Sequence, residues 1–281
     1  MLGKLFKHEF KNTARIMLLI YGMFAVITLL GTFVLSLDSP QSEESAPLGF
    51  MLAVLVIFYT LSVFALFIVT YVYMCLHFYK TMYSGQGYLT HTLPVKSSTL
   101  FHVKLVTSLV WMMCSMALLI LSVFLFVIGA SRGEIFSSGA LTELGQMSAE
   151  MERELGISLG AFCVHMFFGM LLSCLSYLLW IFTSASVGQL FSQYKAAAAI
   201  ITGVILYFIE QIISLIILFA SGYVASMQEV STQYSMEASA VTPIQSVFGT
   251  LISTTYIWSI FLCLAYYIVC RVIIQKHLNL E

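Results

Sequence analysis

From Leu155 to Tyr194 the chain reads LGISLGAFCVHMFFGMLLSCLSYLLWIFTSASVGQLFSQY, a run of 40 residues without Asp, Glu, Lys or Arg. A helix crossing a hydrocarbon core about 30 Å thick needs about 20 apolar residues, so the run holds either one long helix or two short ones. It contains no Pro, and Gly156, Gly160, Gly169 and Gly188 do not gather into a polar turn near its middle. We read it as one helix over 157–188, and the span count of the whole chain follows from that choice.

Other charge-free runs flank it. They are 22 residues between Arg15 and Asp38, 35 between Glu44 and Lys80, 27 between Lys104 and Arg132, and 33 between Glu237 and Arg271. A sixth candidate, Ala196 to Gln228, is interrupted only by Glu210. Continuous apolar stretches of this length are helical, because barrel strands would alternate over about ten residues. The expected fold is an all-α polytopic membrane protein with one transmembrane domain over 1–281 and six spans near 16–37, 48–79, 103–129, 157–188, 196–220 and 247–271. Composition agrees: of 281 residues 60% are hydrophobic and 9% charged, against about 25% charged in a soluble domain, which excludes a water-soluble globule.

Basic residues orient the spans. With the N-terminus in the cytoplasm, Lys4, Lys7, Lys11, Arg15, Lys80, Lys96, Lys104, Lys195, Arg271 and Lys276 fall inside, while only Arg132 and Arg153 fall outside. Splitting the 40-residue run would put Lys195 outside and reverse Arg271 and Lys276. Most acidic residues fall on the outer side, and the net charge of -1 points to no nucleic-acid partner. The expected location is a bacterial plasma membrane with both termini cytoplasmic. The first apolar stretch exceeds a signal-peptide core of about 7–15 residues and no small-residue cleavage site follows, so it is read as span one.

Little points to catalysis. The six Cys lie in apolar runs without metal-ligand spacing and read as buried thiols. The six His are scattered, and HExxH and GxxxxGK[ST] are absent; GxSxG occurs at Gly129–Gly133 and Gly156–Gly160, but both lie at the ends of apolar helical runs rather than on a strand-to-helix turn, so neither reads as a nucleophile elbow. No metal, cofactor or catalytic residue is expected on this chain.

Four polar stretches carry more information. Leu2, Leu5, Phe6, Phe10, Thr13 and Met17 recur at helical spacing among Lys4, Lys7, His8, Lys11 and Arg15, which describes a basic amphipathic helix on the inner leaflet before span one, or a plain topology signal. In the outer loop, Ser137 or Ser138 can cap a short amphipathic helix, the alternative being a solvated acidic loop; Pro243 breaks a polar loop from Ser221 to Ser246. The inner segment from Tyr79 to Lys104 has a turn at Gly85 and Gly87, an apolar edge of Tyr88, Leu89 and Leu93, a stop at Pro94 and caps at Ser97 or Ser98. That pattern makes a short helix suited to a groove on a soluble partner.

Gly87-Tyr-Leu-Thr-His-Thr-Leu-Pro94, Lys4-Leu-Phe-Lys-His-Glu-Phe10 and the six-span layout resemble small bacterial permeases of the ABC-2 type. The resemblance implies an elbow helix at the N-terminus and a coupling helix over about 83–95, with Tyr83, Gly87, Tyr88, Leu89, Leu93 and Pro94 contacting an ABC ATPase. Gln193, Tyr194 and Lys195, in the short turn from Gln189, would be a second contact. Two permease chains, alike or different, would pair with two ATPase subunits, and ATP and Mg would bind the ATPase. The implied function is an ABC exporter's permease; the alternatives are a secondary transporter or channel, or a membrane sensor or regulator.

Glu210 is the one acidic residue inside a span, beside Gln211. An ionised carboxylate in hydrocarbon needs a partner or a cavity, so it lines a path, couples a proton or makes an interhelical hydrogen bond. Small residues in span four, including the GxxxG pair Gly156 and Gly160, are expected to pack against another helix. His165 reads as a packed or hydrogen-bonded histidine.

Overall fold

The computed structural model describes residues 2–37, 46–84, 87, 97–131, 138–191, 193–234 and 243–276. Among them are seven α-helices and no strand: α1 Leu2–Leu37, α2 Ala46–Met82, α3 Ser97–Ser131, α4 Ser138–Leu155, α5 Leu159–Gly188, α6 Lys195–Tyr234 and α7 Pro243–Lys276. All but α4 are long and apolar enough to cross a membrane. This is the build of a multi-pass membrane protein, in which helices satisfy their own backbone groups where water is absent.

The 40-residue run forms one helix. Ser158 caps α5 by accepting from the Ala161 N–H at 3.4 Å, and beyond Gly188 the Gln189 N–H returns to the Ser186 carbonyl at 3.3 Å. The expected outer amphipathic helix is present as α4.

Helix ends depart from the sequence reading. The basic N-terminal segment is no separate surface helix, since α1 runs unbroken from Leu2 to Leu37. It contains no Pro, and its apolar stripe lies against α3 rather than needing a lipid surface: Phe10 stacks on Trp111 at 4.6 Å. At the other end of the chain α6 continues to Tyr234, well past position 220, because Ser, Gln and Tyr after Ser221 are tolerated in a helix. Pro243, expected within the loop before the last span, is instead the first residue of α7, where its missing N–H costs no hydrogen bond.

The glycine expectation is also corrected. Gly156 lies outside α5, with φ 70° and its N–H on the Glu152 carbonyl at 3.1 Å, closing α4 in a conformation that favours glycine. A Cβ on Gly160 would meet nothing within 4 Å. The close approach falls at Gly188, where a Cβ would sit 2.5 Å from Ala199 Cβ and 2.7 Å from its backbone. Of the six thiols, all free and all expected to be buried, Cys174, Cys263 and Cys270 are buried and Cys75 is half-buried, whereas Cys114 and Cys163 are exposed, since an apolar run in a spanning helix does not fix which face meets a neighbouring helix.

Packing divides the chain into two compact units, residues 1–80 with 94–142, and residues 81–93 with 143–281. In the first, α1 packs along α3. Tyr59 of α2 joins them, its hydroxyl 2.9 Å from Ser122 and its ring stacked on Phe126 at 4.0 Å. In the second, α5, α6 and α7 pack pairwise. Trp258 Nε1 donates to Ser214 at 3.0 Å, and Thr183 donates to the Tyr266 carbonyl at 3.1 Å.

Candidate functional site

The first unit gathers three charged side chains around one oxygen. Glu9 shares the buried stripe of α1 with Thr13, and its Oε1 lies 2.8 Å from His77 Nε2 of α2 and 2.7 Å from Lys104 Nζ of α3. Lys104 is only 5% exposed. One turn further, buried Thr13 accepts from Trp111 Nε1 at 2.9 Å, and Tyr21 donates to the Trp111 carbonyl at 2.7 Å. Lys4, Lys7, Lys11 and Arg15 occupy the opposite, exposed side of α1. The cluster contains no nucleophile; it is a charge-assisted clamp holding three helices in register. The position of Glu9, four residues from both Leu5 and Thr13, puts it on the apolar face, a signal that assignment of charges to the two sides of the membrane does not use.

In the second unit the connection leaving α2 is rooted by Tyr83, which is 4% exposed. Its hydroxyl donates to Ser186 Oγ at 2.7 Å; Ser186 donates in turn to the Phe182 carbonyl at 2.7 Å and lies 3.3 Å from Cys270 Sγ. Burial pushes the Tyr83 phenol well above its usual range, and the neighbouring Cys270 adds to this, so the hydroxyl remains a donor. Gly87, also buried, closes a turn by donating to the Ser84 carbonyl at 2.6 Å. Tyr88, Leu89, Leu93 and Pro94 lie outside the described residues.

Gln193 and Tyr194 sit in the connection between α5 and α6, and Lys195 is the first residue of α6. Tyr194 has φ 58° and is 82% exposed, a left-handed backbone that a tyrosine adopts at a cost. Its carbonyl accepts from the Ala198 N–H at 2.9 Å, which fixes the start of α6. Gln189, named from sequence only as the start of that turn, is 1% exposed, and neither atom of its side-chain amide is hydrogen-bonded among the described residues. Tyr83 reaches Ser186, so the roots of these two connections meet within one unit.

Glu210 of α6 accepts from the Tyr266 hydroxyl of α7 at 3.1 Å. Gln211 is not part of that contact and is exposed, because successive helical residues point about 100° apart. The bond implies that Glu210→Gln retains stability in detergent, whereas Glu210→Leu and Tyr266→Phe each lose about 1 kcal/mol. Chemical unfolding of the purified variants checks this. Equal loss in Gln and Leu would show that the acid itself, not its shape, is required.

Among the described residues no group of three His, Cys, Asp or Glu could hold a metal ion. No family model, curated protein or solved structure matches the chain.

Proposed function

We propose that the chain is the membrane-spanning permease subunit of an ATP-driven ABC exporter, resident in a bacterial plasma membrane and working with a separate ABC ATPase that binds ATP and Mg. The observation that carries this reading is the pair of connections on the basic side. One is rooted by buried Tyr83; the other presents Tyr194 in a constrained, exposed turn. Their shared anchor at Ser186 gives a soluble partner two neighbouring contacts whose displacement pulls directly on α5. The sequence of residues 87–94, with its apolar Tyr88, Leu89 and Leu93, supplies the core of the larger contact.

Pairing with a second permease chain, alike or different, is supported by α6. It leaves Gln211 exposed among Phe208, Ile212 and Leu215, and an amide on an apolar helix face favours contact with another helix over lipid. The Glu210 to Tyr266 bond favours a second reading, a proton-coupled secondary transporter.

Purification of the full chain from bacterial membranes distinguishes the two. An ATPase carrying a phosphate-binding loop is expected to co-purify in fixed ratio. Gradient-driven flux by the isolated chain in liposomes, with no ATPase recovered, would replace the exporter by the secondary transporter. The inferred orientation places α4 outside the cell, so a cysteine at exposed Gln146, on a background lacking the native Cys, is expected to react with an impermeant maleimide in intact cells. Reaction only after lysis would invert the topology.

A further inference from the structure

The second unit contains a cavity of about 400 Å³ between α5 and α7, open to the surface and walled largely by apolar side chains such as Met166, Met170 and Ile252. Five polar side chains line it: Thr255 donates to the Leu251 carbonyl and Tyr256 to the His165 carbonyl, whereas the side chains of His165, Ser173 and Ser259 have no hydrogen-bond partner among the described residues. That is unusual within this chain, where Ser184 and Ser253 bond back to their own helices. An apolar cavity with a few convergent polar groups is the general form of a small-molecule site.

Depth narrows the ligand. The 30 residues of α5 extend about 45 Å, roughly 15 Å more than a hydrocarbon core. On an α5 centred in that core, His165 lies about 9 Å below Leu159, near the boundary where lipid ester and hydroxyl oxygens reside, and Ser173 lies about 21 Å below it, near the midplane. The volume accommodates roughly a dozen methylene groups, each taken as about the 30 Å³ of a liquid water molecule. Two chains of an ordinary phospholipid do not fit such a space; one does. The hydroxyls of Ser173 and Ser259 make the deep end polar and limit chain length.

We propose that this cavity binds a single-chain lipid, with its acyl chain laid between α5 and α7 and a neutral ester or hydroxyl oxygen paired with His165. The site is independent of the exporter reading, since binding needs no ATPase. Gly169 gives the means to close it: a Cβ there would be 3.4 Å from the Tyr256 hydroxyl, an ordinary contact, so a larger side chain grows into the cavity.

The test uses the full chain in phosphatidylcholine nanodiscs, irradiated with a monoacylglycerol that carries a mid-chain diazirine and an alkyne tag, with adducts located by peptide mass spectrometry. Saturable labelling is expected within 162–173 and 251–259, competed by unlabelled monoacylglycerol. Gly169→Leu is expected to reduce it at least tenfold, and Ser173→Leu, which fills the deep end, provides the same loss from an independent position. His165→Phe, which keeps an aromatic ring beside Tyr256, is expected to weaken monoacylglycerol labelling several-fold while leaving a diazirine alkane probe unaffected. Labelling that does not saturate, that spreads over all six spans, or that persists in folded Gly169→Leu and Ser173→Leu would overturn the site.

Discussion

Glu9→Leu is expected to destabilise the chain by about 3–5 kcal/mol, the cost of breaking a buried ion pair by removing one partner. The carboxylate is 2.7 Å from Lys104 and 2.8 Å from His77, and the Lys104 side chain is 6% exposed, so water does little to replace the lost counter-charge. Lys104→Met alone is expected to cost a similar amount for the reciprocal reason. Combining Glu9→Leu with Lys104→Met takes both charges out of the interior together, and well-packed apolar replacements of buried ion pairs are often neutral. The double variant is therefore expected to recover most of the loss. Detergent unfolding of the four proteins, read as a double-mutant cycle, measures the coupling. Additive losses would mean that the clamp stores no interaction energy.

Tyr88→Asp combined with Leu89→Asp is expected to abolish ATP-driven transport while the chain still inserts. Two residues at the centre of a docking surface contribute about 2 kcal/mol or more each, and about 4 kcal/mol corresponds to roughly a thousandfold weaker binding. Insertion is expected to survive because the apolar spans are untouched and Tyr83 remains anchored on Ser186. Loss of the ATPase from pull-downs, with membrane localisation unchanged, separates lost docking from lost folding. Wild-type association and transport would remove the contact from residues 87–94.

The spans were legible because charge is excluded from hydrocarbon, and the gaps between charges report this directly. Their ends were less so. Ser, Gln and Tyr neither break a helix nor mark the membrane boundary, so α6 reaches Tyr234 and α1 begins at Leu2. The depth of Glu210 could be counted along the chain, but its donor Tyr266 is 56 positions away. Glu9 was missed for a similar reason, its partners lying 68 and 95 positions away. An acidic residue on the apolar stripe of a basic helix was nonetheless a local signal that something must meet it. Glycine spacing misled, because GxxxG describes a pattern within one helix, whereas close approach depends on the facing one: Gly188 meets Ala199, and Gly160 meets nothing.

The unbroken α1 has a mechanical consequence. Leu37 lies 28 residues beyond Glu9 on the same helix, about 42 Å along its axis. A helix is stiff over such a distance, so fastening it in its second turn makes the Glu9 cluster a fulcrum. A tilt of about 5° there sweeps the far end sideways by roughly 4 Å, a displacement comparable to the width of a methylene chain. Force applied beside the basic residues would thus travel along α1 to its far end, where Thr32 packs against Gly129 of α3, with no break in the helix to absorb it.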